Sequence, residues 1–184
     1  MTPPLPPHAY LFTDGSSGPH EDTGAWAAIA VAGTNRKLLF GVQSPTSISR
    51  CELIPIIEGL RWIKSNWVGH VGFRVVAYSD SEYTVKTLAG LYGRHKNEEL
   101  WRALDEAQRG MVVQYCWRER NSLPYMAWCD AICGALRGQT KRYVKENFPD
   151  PKQPELVLPD FEIPVELPVL PDDIPYDYPN ERTT

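Results

Sequence analysis

Short apolar runs and longer stretches of helical spacing alternate along the first 146 residues of the chain. Apolar runs over His8–Asp14, Ala25–Ala32 and Lys37–Val42 predict three strands. A Gly-, Pro- and charge-containing link over 18–24 joins the first two, and Gly33-Thr34-Asn35 supplies hairpin chemistry between the second and third. Three sequential strands with short turns make an antiparallel meander. From Ser49 to Asn66 the period changes, and Leu53, Ile56, Ile57, Leu60 and Ile63 recur on one helical face. A fourth strand is predicted over Gly72–Ser79 and short helices over Ser81–Leu91 and Glu98–Arg109. A fifth strand follows over Met111–Trp117, then a last helix over Leu123–Glu146, with Asn121 or Ser122 as its cap. Strands linked through helices pair in parallel. The expected class is therefore α/β: a five-stranded mixed sheet, antiparallel meander plus parallel strands, flanked by helices.

After Phe148 the pattern ends. Nine prolines fall between Pro149 and Pro179, interleaved with acids and single apolar residues. No periodic face survives that spacing, so 149–184 is expected to be a disordered, acidic, Pro-rich tail. The Pro-rich start, 1–7, is expected to be disordered as well, which leaves 8–148 as one domain. The division resolves the charge. The net of −4 is the sum of a body (1–149) with 17 Lys/Arg against 14 Asp/Glu and a tail (150–184) with 2 against 9. A mildly basic body with an acidic tail remains once the chain is divided. The tail has three readings: a solubilising end, a docking segment for a protein partner, or an acidic competitor for the basic groove.

No apolar run is long enough to span a bilayer, and Met1–Pro7 lacks the basic and apolar regions of a secretory signal. A cytoplasmic, monomeric protein with reduced thiols and no membrane contact is expected. Cys51, Cys116, Cys129 and Cys133 lack paired zinc-site spacing.

Four acids occupy positions where buried charge is expensive. Asp14 and Asp80 each close an apolar run, Glu52 lies at the head of a helical pattern, and Asp130 falls in the apolar stripe of the last helix. If they converge, a divalent metal site is the simplest explanation, and hard oxygen ligands suit Mg²⁺ or Mn²⁺. Each acid also has an ordinary reading. Asp14-Gly15 is turn chemistry, Glu52 follows Ser49 at the capping-box interval, Asp80 is a helix cap, and Asp130 is the buried partner of an arginine.

The contexts of these acids, in order, are Phe12-Thr-Asp-Gly-Ser16, Arg50-Cys-Glu-Leu53, Ser79-Asp-Ser-Glu-Tyr83 and Cys129-Asp130. Around them stand Gly24-Ala-Trp-Ala-Ala-Ile29, Asn97-Glu-Glu-Leu-Trp101 and Trp117. From about Ala9 to Lys145 the chain resembles type 1 ribonuclease H, of the ribonuclease H-like superfamily. The resemblance implies a metal-dependent endonuclease that hydrolyses the RNA strand of an RNA–DNA hybrid and leaves a 5′-phosphate. Asp14, Glu52 and Asp80 would be the core ligands of two Mg²⁺ ions (Mn²⁺ substituting), with Asp130 a more adjustable fourth. Arg50, Arg94, Lys96, Arg118 and Arg120 are candidate phosphate contacts, and Ser16, Ser81 and Asn97 candidate polar contacts to the nucleic acid.

The chain departs from the family in four places. The loop Arg118–Pro124 lacks the family's histidine; Arg120 or Glu119 stands in its neighbourhood, and arginine cannot shuttle protons near neutral pH. Ser47-Ile-Ser49 replaces an asparagine-bearing segment, and Glu82 stands where glutamine is common, both on the side that reads the sugar. Pro55 lies inside the helix that carries Glu52 and predicts a kink or a late start. Two other readings therefore stand beside the first: a nuclease of this fold acting on DNA or structured nucleic acid, and a catalytically weak binding module. Trp62, Trp101 and Trp117 are expected in the core, and the row Arg137, Lys141, Lys145 on a solvated face.

Overall fold

The computed structural model describes residues 9–18, 23–32, 35–44, 46–66 and 72–146, the last nine of these by backbone alone. The start 1–7, the hairpin residues 33–34 and the tail 149–184 lie outside the described residues.

Five strands and four helices follow in the order β1 (Ala9–Ser17), β2 (Gly24–Ala32), β3 (Asn35–Gln43), α1 (Ile48–Asn66), β4 (Phe73–Ser79), α2 (Glu82–Leu88), α3 (Glu98–Gln108), β5 (Met111–Trp117) and α4 (Pro124–Glu146). The sheet order is β3-β2-β1-β4-β5. The β1/β2 and β2/β3 pairs are antiparallel, while β1/β4 and β4/β5 are parallel, as the short and helix-filled connections require. This is the ribonuclease H-like architecture expected from the sequence.

Period-two alternation sends neighbouring residues of each central strand to opposite faces, and both faces are covered. Leu11, Ala28, Ala30, Val75 and Ala77 meet Leu53, Ile56, Leu60 and Ile63 of α1 and Trp101 and Leu104 of α3. Phe12, Ala27, Ile29, Val76 and Tyr78 meet Tyr125, Met126, Cys129, Ile132, Cys133 and Leu136 of α4. Gly59 does pack α1 onto the sheet, because a Cβ there would lie 2.8 Å from a methyl of Leu11. Among the described residues no helix is long and apolar enough to cross a membrane.

Several boundaries differ from expectation. Strand β1 runs on past Asp14 to Ser17, and β3 spans Asn35–Gln43 where Lys37–Val42 is expected. Helix α1 starts at Ile48 and continues through Pro55, which sits buried in its second turn. Helix α2 ends at Leu88: Gly90, at φ +77°, closes it with bonds from Gly90 N to Thr87 O and from Leu91 N to Lys86 O. Helix α4 starts at Pro124, whose fixed φ and missing N–H suit the first helical position, so neither Asn121 nor Ser122 caps it.

Candidate active site

The parallel register of β1 and β4 brings two carboxylates to one rim. Phe12 pairs with Tyr78, and the Thr13 hydroxyl donates to the Tyr78 carbonyl at 3.0 Å. Two residues further on stand Asp14, still inside β1 but past the last residue that pairs with β4, and Asp80, one residue beyond the end of β4; ligands of open α/β sheets collect on this side.

Glu52 reaches this rim because β1 and α1 nearly touch. A Cβ on Gly15 would run into the Cys51 carbonyl and lie 2.7 Å from the Glu52 nitrogen. Pro55 contributes: without an N–H it leaves the Cys51 carbonyl free of its helical donor, and Gly15 packs against that carbonyl. On the other face, the Cys129 thiol lies 3.5 Å from the Phe12 carbonyl and the Cys133 thiol 3.6 Å from the Asp14 carbonyl. These contacts seat α4 and carry Asp130 to the same edge. Glu52 is not a capping-box residue, since Ser49 already lies inside α1. Asp80 is not the cap of α2, a role filled by Ser81.

Asp14 and Glu52 feel the charges of neighbouring acids. Burial, then the charges of Asp80 and Asp130, raises the Asp14 carboxyl from its ordinary 3.8 to about 7, with Cys133 and Arg120 opposing. Burial, then Asp14 and Asp80, holds Glu52 well above the usual range against Arg120 and Ser79. Asp14 and Glu52 are buried, and Asp14 Oδ2 and Glu52 Oε2 have no hydrogen-bond partner. Asp80 is nearly buried, whereas the Asp130 side chain is 37% exposed. Arg120 spans these two, its Nε 3.0 Å from Asp80 Oδ2 and its Nη1 3.9 Å from Asp130 Oδ1. In this arrangement no three His, Cys, Asp or Glu side chains among the described residues are drawn tightly around one point. The donor chemistry nonetheless fits a hard divalent cation, because two buried carboxyl oxygens lack any protein partner and a bound cation would offset the burial that disfavours their ionised form. Burial and Asp14 push the Cys129 and Cys133 thiols upward, so neither supplies a thiolate nucleophile.

The expected nucleic-acid contacts are scattered more widely. Arg50 pairs with Glu99 and reaches Asn97 at 3.4 Å, joining the starts of α1 and α3. Arg94 donates from a single nitrogen, Nη1, to both Asp105 oxygens at 2.8 and 2.9 Å and lies over Trp101. Lys96 is exposed, and its carbonyl accepts from the Trp101 indole at 2.8 Å. The Ser81 hydroxyl is used in capping, accepting from Thr84 N and donating to Thr84 Oγ1 at 2.8 Å. Arg118 lies over the Tyr78 ring, 5.6 Å from its centre. Ser16 accepts from Arg137 at 2.7 Å.

Arg137 is therefore no solvated-face residue but a half-buried clamp from α4 onto the end of β1. Lys141 and Lys145 fall among residues described by backbone alone. Trp117 also departs from expectation. Trp101 is buried and Trp62 partly so, but Trp117 is 44% exposed and its indole N–H donates to the Asp80 carbonyl at 3.0 Å. A strand-terminal tryptophan gives no sequence cue that it braces a neighbouring aspartate. Trp117→Phe, which deletes that donor, is expected to cost about 1 kcal/mol of stability in urea denaturation.

A family model described as RNase H matches residues 6–122. The ribonuclease H of Cupriavidus metallidurans is 34% identical over 136 residues, covering 66% of this chain and 90% of the relative. That of Aromatoleum aromaticum is 33% identical over 120 residues, covering 58% and 74%. Among solved structures, LC11-RNase H1 in complex with an RNA/DNA hybrid superposes with a TM-score of 0.59 at 15% identity, over 69% of this chain and 94% of that one. RNase H1 of Halobacterium salinarum gives 0.52 at 14%, over 71% and 97%. The structures speak for the fold; the family match and the relatives carry the assignment, and the chain belongs to the ribonuclease H family of nucleases.

Proposed function

We propose that this chain is a divalent-metal-dependent endonuclease that hydrolyses the RNA strand of RNA–DNA hybrids, leaving 5′-phosphate ends. The observation that carries the metal dependence is the pair of buried, partnerless carboxylate oxygens, Asp14 Oδ2 and Glu52 Oε2, at a rim shared with Asp80 and Asp130. Isolated buried carboxylates are too costly to keep ionised without a cation. Asp14, Glu52 and Asp80 would hold Mg²⁺, with Asp130 as a looser ligand; Mn²⁺ meets the same donor requirement. When bound, two such ions supply a water nucleophile at neutral pH and charge stabilisation at the leaving oxygen. The chain's own part is positional. Gly15 sets the approach of Glu52 to Asp14, Trp117 and the Thr13 bond hold the ends of β4 and β1, and Arg50, Asn97 and Lys96 offer polar and cationic contacts to the hybrid that a structural neighbour also binds.

One observation favours a second substrate class. Glu82, where glutamine is common, ion-pairs with Lys86 at 2.6 Å, and Ser47 and Ser49 replace the asparagine-bearing segment. These changes lie on the side expected to recognise the 2′-hydroxyl, so DNA or structured nucleic acid is the alternative. Digestion of matched hybrid, double-stranded RNA and double-stranded DNA in Mg²⁺ is expected to cut the RNA strand of the hybrid by far the fastest. Equal or faster cutting of DNA would replace the first reading with the second. Binding of hybrid without cleavage in either Mg²⁺ or Mn²⁺ would leave a binding module.

A further inference from the structure

Arg120 lies in the connection between β5 and α4, with its side chain 62% exposed, so burial does not hold it against the acids. The connection itself is shaped. Arg118 N bonds to Ser79 O at 3.0 Å, Ser122 N bonds to Glu119 O at 3.0 Å, and Asn121, next to Arg120, adopts φ +58°. That frame sets the guanidinium across Asp80 and Asp130 at 3.0 and 3.9 Å. Its charge also acts on Asp14 and Glu52. With Asp80 engaged in this way, no three acidic side chains among the described residues close on one point, although Asp14 and Glu52 each keep a partnerless oxygen.

We propose that Arg120 is a tethered counter-ion: it neutralises Asp80 and Asp130 in the metal-free protein and competes with an entering divalent cation for Asp80. The proposal rests on the metal reading given above. A guanidinium is permanently charged, so pH cannot remove this competitor within the working range; a more strongly bound cation must displace it. Once displaced, Arg120 stays at the rim, where a phosphodiester is its next anionic partner, in the geometry arginine favours. The device limits repulsion in the metal-free site and makes metal entry and release of the arginine one event.

Calorimetric titration of the full-length, metal-free chain with Mn²⁺ tests this without reference to turnover. Arg120→Met keeps the side-chain bulk and removes the charge, and it is expected to bind Mn²⁺ about three- to tenfold tighter than the native chain. Arg120→Lys should fall between the two. Arg102→Met, on the exposed face of α3, changes net charge equally and should leave the affinity near the native value. Unchanged or weaker binding by Arg120→Met, or equal tightening by Arg102→Met, would overturn the counter-ion role while leaving the metal site standing. Native protein that binds no Mn²⁺, or binds it just as well after Asp14→Asn, would overturn the metal reading and this inference together.

Discussion

Asp14→Asn is expected to lower hybrid cleavage on the order of a thousandfold, and to raise the melting temperature of the metal-free protein above pH 7. The loss follows from the proposed role: a charged ligand of a metal worth several kcal/mol in the transition state is replaced by a neutral one. The gain follows from electrostatics. Asp14 titrates at about 7 in the fold and at 3.8 ordinarily, so the folded state holds a proton that the unfolded state releases. Stability of the metal-free protein therefore falls as pH rises from about 4 to about 7 and stays low above that. Asparagine removes the penalty. Its benefit is absent near pH 4 and reaches a few kcal/mol above pH 7, or roughly 5–10 °C for a domain of this size. Thermal melts at pH 4.5 and 8 in chelator, with activity measured in Mg²⁺, would show the two opposite effects. A variant destabilised at pH 8 would mean that Asp14 is held by protein groups and not by repulsion.

Gly15→Ala should be nearly as damaging by a different route. The added methyl meets the Cys51 carbonyl and the Glu52 nitrogen, both backbone, so no side-chain rotation relieves the contact. Separation of β1 from α1 is the remaining outlet, at a cost of about 3 kcal/mol, and it carries Glu52 away from Asp14. A displacement near 1 Å in such a site is worth about a hundredfold in rate. Denaturant unfolding and hybrid cleavage would both register it. Native-like values in both would show that the two elements are not in intimate contact.

The fold was legible because each element carried a consistent period. Alternate residues of the His8–Asp14 run do reach opposite cores, and Leu53, Ile56 and Leu60 do line one helical face. Helix ends were less legible, since they depend on backbone closures at Gly90 and Pro124 that periodicity does not encode. Asp14 and Glu52 were readable as buried carboxylates because one closes an apolar run and the other heads an apolar helical face. Asp130, expected within the apolar stripe, is instead 37% exposed at the rim beside Arg120. What stayed hidden is pairwise and long-range. Trp117 bracing Asp80, Arg137 clamping Ser16 and Gly15 meeting Cys51 each join residues at least 36 positions apart. No single-sequence pattern encodes such contacts without an assembled sheet.

The most direct test is a crystal structure grown in Mn²⁺, with anomalous scattering used to locate the ion. Mn²⁺ is expected at the rim where Asp14 of β1 and Asp80 beyond β4 stand, liganded by Asp14, Glu52 and Asp80, with Arg120 moved off Asp80. Mn²⁺ bound elsewhere, with Asp14 Oδ2 and Glu52 Oε2 satisfied by protein hydrogen bonds, would contradict it.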